Sequence, residues 1–81
     1  LNNMSEITSE EIGVNYAAMV IVANRINKIV AGTSMADCTA EEKQESVDTC
    51  VGHLQLMVGK SYWTTEDMEP ISAAITAGLS Y

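Results

Sequence analysis

Residues 12–30 read IGVNYAAMVIVANRINKIV, and no other stretch limits what this chain can fold into as much. Arg25 and Lys28 are its only charges. On a wheel of 100° per residue, Ile12, Tyr16, Met19, Ala23, Ile26 and Val30 form one seam with helical 4-3-4-3-4 spacing. Ala18, Val22 and Ile29 widen it. The opposite side carries Gly13, Ala17, Val20 and Ile21, and turns polar only with Asn24, Asn27 and Lys28 in the last two turns. A helix that is apolar nearly all round its middle needs cover on two sides. Small residues at positions 13 and 17 also let a second backbone come close.

The helix start is specified twice. Thr8 and Glu11 stand at capping-box spacing, in which the threonine hydroxyl accepts from the Glu11 amide and the carboxylate accepts from the Thr8 amide. Ile7 and Ile12 occupy the positions of a hydrophobic staple. Gly32 is the expected left-handed stop, with Arg25 and Lys28 near the negative end of the helix dipole.

Two further starts follow the same pattern, at Thr39-Ala40-Glu41-Glu42 and at Thr64-Thr65-Glu66-Asp67. After the first, Val47, Cys50, Val51, Leu54, Met57 and Val58 share one face, Leu56 points away, and Gly59 ends the run. After the second, Ile71, Ala74, Ile75 and Leu79 line a face and Gly78 is the expected stop. Pro70 cannot sit deep in a helix without losing a hydrogen bond, so a break or restart is expected there. The spacing between the three threonines is unequal, which argues for three separately capped helices rather than a repeat array.

These features predict an all-α fold: a small three-helix antiparallel bundle, built as a helical hairpin with a short, Pro-interrupted third helix. The expected helices are 9–31, 40–58 and 65–77, within a single helical domain over 8–81 that follows a polar lead-in at 1–7. Met4 is a candidate natural start, which would make residues 1–3 a foreign addition. A chain of 81 residues buries only about 60–65% of the surface its unfolded form exposes, which leaves a slim stability margin. Two short helices cannot cover both sides of the first one. The bundle is therefore expected to be completed by dimerisation, with Gly13, Ala17, Val20, Ile21 and Trp63 as the candidate interface.

The net charge is −7, with Arg25, Lys28, Lys43 and Lys60 the only basic residues. Phosphate-binding surfaces need clustered cations, so neither a nucleic acid nor an anionic membrane surface is expected as a partner. Seven of the eleven acids fall in the opening turns of the expected helices, where the helix dipole favours them. They do not gather on one face, as mimicry of a nucleic acid would require. The longest uninterrupted apolar run, residues 16–23, is far short of the roughly 20 residues a membrane span needs. No signal sequence is evident, and an intracellular, cytoplasmic location is expected.

Catalytic chemistry finds little to stand on. Cys50 lies on the seam of the second helix, where a thiol is buried and inert. Asp48 and His53 point about 140° apart on a helix of 100° per residue, which removes an Asp–His pair. Cys50 and His53 offer two metal ligands where zinc wants four, and Cys38 and Cys50 do not make a disulfide framework. The expectation is a non-enzymatic protein without cofactor, metal or catalytic residues. Its role is read as a self-associating interaction or assembly module, an acidic homodimer that binds another protein or builds a larger structure. The alternative is a small-ligand or metal-binding protein with a site between helices near Tyr16, Met19, Cys50 and His53. A minimal enzyme assembled from two protomers is the third reading.

Overall fold

The computed structural model describes residues 7–81 and contains three helices: α1 (Ser9–Ala31), α2 (Ala40–Met57) and α3 (Thr65–Leu79). The chain runs up, down and up. Tyr16 near the start of α1 donates its hydroxyl to the Asp67 carbonyl at the start of α3, at 3.4 Å. Gly78 at the end of α3 lies against Ile26 in the second half of α1 and against Val47 and Val51 of α2. Of the lead-in assigned to residues 1–7, and with it Met4, all but Ile7 lies outside the described residues.

All three starts close as reciprocal capping boxes. Glu11 N donates to Thr8 Oγ1 at 3.1 Å and Thr8 N to Glu11 Oε1 at 3.0 Å. The Thr39–Glu42 pair closes at 3.0 and 2.8 Å. At Thr64 the return bond to Asp67 Oδ2 stretches to 3.5 Å, because aspartate is one methylene shorter than glutamate. Each box satisfies two of the amides that a helix start leaves without intrahelical partners.

The helix ends differ from one another. Gly32 takes the left-handed conformation at φ 81°, its N–H bonding to Ile29 O while Thr33 N bonds to Lys28 O. Met35, at φ 59°, is the one non-glycine described residue with positive φ; its half-buried side chain packs on the core, which offsets the backbone cost. Gly59 does not end α2. The helix stops at Met57 with Val58 as a right-handed cap, and the indole Nε1 of Trp63 donates to the Met57 carbonyl at 2.8 Å. That bond satisfies one of the carbonyls that a helix end leaves without an intrahelical partner.

The third helix departs most from the sequence reading. Pro70 does not interrupt it: α3 is continuous from Thr65 to Leu79 with Pro70 inside. Proline at this position releases the Glu66 carbonyl, and both residues are exposed, so water can take the freed acceptor. Gly78 is not a stop either. It is buried within α3, where an added Cβ would overlap Val51 Cγ2 and lie 3.3 Å from Ile26 Cγ2. The absent side chain lets the end of α3 press against α1 and α2, and the helix runs on past Ala77.

The core comprises Met19, Val22, Ala23, Ile26 and Ile29 of α1, Val47, Cys50, Val51 and Leu54 of α2, and Ile71 and Ala74 of α3. Three residues placed on apolar seams are exposed instead. Leu79 is exposed beyond the Gly78 contact, and Ala18 is exposed at the margin of the α1 seam. Val30 is exposed because α3 ends level with Ile26, leaving the last turn of α1 without a neighbour on that side. Among the described residues no buried polar side-chain atom lacks a hydrogen bond, and no helix is long and apolar enough to cross a membrane.

Candidate functional site

The outward side of α1 carries two large apolar side chains that the bundle leaves exposed. Once Met19, Val22, Ile26 and Ile29 are turned inward, the 3.6-residue period fixes what faces out. Val14 and Ile21, 69% and 60% exposed, flank exposed Ala17 and Ala18 on that side. Glu10 precedes this apolar strip and Arg25 and Lys28 follow it, all exposed. Ile21, Asn24, Arg25 and Lys28, with Ser34 from the connector, line an open depression of about 300 Å³. Two of the four basic residues of the chain therefore border one apolar side chain.

The five candidate interface residues do not fall together. Gly13, Ala17 and Ile21 are exposed on the outer side of α1, and open space surrounds the Cα of Gly13. Val20 is half-buried and packs against the core. Trp63 stands at the far end of the bundle, 6.0 Å from the Tyr16 ring and 4.7 Å from the Tyr62 ring between centroids. Asn15 Nδ2 donates to Tyr62 Oη at 3.3 Å, which ties this aromatic group to α1. Asn15, Met57, Lys60, Tyr62 and Trp63 line a shallow depression of about 170 Å³. The indole packs against two tyrosine rings and bonds through its N–H, so it ties α1 to the end of α2.

Val14, Arg25 and Lys28 complete the α1 surface and were not among the five. Their signal in the sequence is positional: they continue the arc of Ala17 and Ile21 at helical spacing. Separating that arc from the core arc requires knowing which way the helix is turned.

Cys50 is buried on the core side of α2, whereas His53 is exposed. Both cysteines are free thiols. Among the described residues no three His, Cys, Asp or Glu side chains gather at metal-binding distance. On the outer side of α2, Glu41, Glu42, Glu45 and Asp48 border a wide, open depression, an acidic face that solvent covers. Gln44 Nε2 donates to Asp48 Oδ1 at 2.9 Å along it.

No known protein family matches the sequence, and no curated protein or solved structure matches it either.

Proposed function

We propose that this chain is a protein-interaction module that associates with a second copy of itself through the outer side of α1, and that it carries no catalytic site of its own. The supporting observation is the exposure of Val14 and Ile21 beside Ala17 and Ala18, on a helix whose opposite side already fills the core. Covering a large apolar side chain contributes about 1.5–3 kcal/mol. In a domain this small, a few such side chains weigh heavily against a total stability of about 5–15 kcal/mol. Small residues between the two large ones leave room for a second helix at close range. A two-fold axis would place the same strip on both sides of the contact.

Absolute molar mass in solution tests the reading, measured by light scattering or sedimentation over a range of concentrations. The wild type is expected to approach twice 8.7 kDa, and Ile21→Glu to remain near 8.7 kDa with its helical circular dichroism intact. A wild type that stays monomeric at every concentration would overturn the proposal. So would a dimer indifferent to Ile21→Glu. The competing reading, a ligand or metal site beside Cys50 and His53, predicts stoichiometric zinc in the purified protein that is lost in Cys50→Ser.

A further inference from the structure

Three pairs of residues on the outer side of α1 are arranged about one point. The pairs Ala17/Ala18, Val14/Ile21 and Glu10/Arg25 share one midpoint, and all six residues are exposed. The outermost pair has opposite charges. From this symmetry we infer that two copies pair through α1 in antiparallel register, with the two-fold axis passing between Ala17 and Ala18.

In that register each Val14 lies beside the partner's Ile21, and each Glu10 lies beside the partner's Arg25. Both contacts occur twice, as an isologous interface requires. The depression bordered by Ile21, Arg25 and Lys28 then receives the opening turn of the partner's α1, which carries Glu10 and Glu11. The helix dipoles agree, since the positive start of one α1 meets the negative end of the other. A parallel pairing places Glu10 against Glu10 and Arg25 against Arg25, so like charges oppose it. The charges thus select the polarity, while the apolar strip supplies the adhesion.

From Glu10 to Arg25 the contact is about 23 Å long at 1.5 Å per residue. A single helix pair of this length belongs at the small end of stable interfaces, so the dimer is concentration-dependent. Arg25 also borders a second depression with Glu45 of its own chain, which gives it an intramolecular alternative. That alternative makes a charge swap informative.

This register rests on the self-association proposed above, and the experiment separates the two. Dimer dissociation constants are measured by sedimentation for wild type, Glu10→Arg, Arg25→Glu and the double swap, each checked for helical content. Either single change is expected to weaken dimerisation about tenfold, because it turns two symmetric attractions into repulsions. The double swap is expected to return the constant close to the wild-type value. A double swap as weak as either single change overturns the register, and rescue of Arg25→Glu by Glu45→Arg instead assigns Arg25 to its own chain. Oxidative cross-linking is the second readout, in a Cys38→Ser background. A mixture of Val14→Cys and Ile21→Cys proteins is expected to give the mixed cross-linked dimer. Self-cross-linking of either protein alone would show a parallel pair and overturn the inference. If the wild type is monomeric throughout, self-association itself fails.

Discussion

Ile26 and Ile21 belong to the same helix and have the same side chain, yet Ile26 is fully buried and Ile21 is 60% exposed. Ile26 meets α2 and α3 through the contact at Gly78, whereas Ile21 faces solvent beside Arg25 and Lys28. Hydrophobicity alone does not separate them. Their position on the wheel relative to the two short helices does. The inner side of α1 holds the fold together, and the outer side is left in solvent.

The largest expected effect divides those two roles. Ile26→Ala is expected to cost about 2–5 kcal/mol of unfolding free energy, because it leaves a cavity where three helices meet. Ile21→Ala is expected to change the stability of the dilute monomer by less than about 0.5 kcal/mol, as exposed substitutions do. Urea melts at low protein concentration measure both. Similar losses at the two positions would show that the outer side is covered within a single chain.

Two glycines sharpen the contrast. Gly78→Ala places a methyl group against Val51 and Ile26, and overpacking is expected to cost about 1–3 kcal/mol despite the better helix propensity of alanine. Gly13→Ala meets open space in an exposed helix, and is expected to gain about 0.5–1 kcal/mol. Thermal melts of the two variants should therefore move in opposite directions. A shift in the same direction would mean that helix propensity, rather than packing, governs both sites.

The smallest expected effect concerns the start of α1. Hydrogen bonds from the Thr8 backbone and then from its hydroxyl hold the Glu11 carboxyl below its ordinary value of 4.5. A carboxyl lowered on folding stabilises the fold above its unfolded value, and the contribution is lost as pH falls through the lowered folded value. Amide-exchange protection in the first turn is thus expected to hold above about pH 4.5 and to decline on further acidification. Glu11→Gln keeps the geometry of the box without the titration. An identical acid response in that variant would assign the effect to another group.

Much of this architecture is legible in the sequence. Threonine followed three residues later by Glu or Asp marked all three starts, because the chemistry of a cap is contained within four consecutive residues. The core faces of α1 and α2 were legible in their periodicity, Met19, Ala23 and Ile26 against Val47, Cys50, Val51 and Leu54. Gly78 shows where such reading stops. A glycine near a helix end signals a cap when only its own chain is considered. Here it is a notch that fits Val51 and Ile26, and only the neighbouring helices reveal that. Pro70 likewise signalled a break, but an exposed carbonyl one turn earlier let the helix pass through it. Trp63 was placed at the candidate interface on the sequence, and its bond to the Met57 carbonyl shows how it is held.

Local interactions within one turn determined where the helices begin, and the 3.6-residue period determined which residues could share a face. Those quantities depend on short stretches of chain, so the amino-acid order suffices to set them. The tertiary structure decided that the chain covers only one apolar arc of α1, where α3 ends, and that Ile21 stays in water beside cations. Each of these depends on the distance and length of helices far away in sequence, and side-chain packing fixes them only when all three are in place.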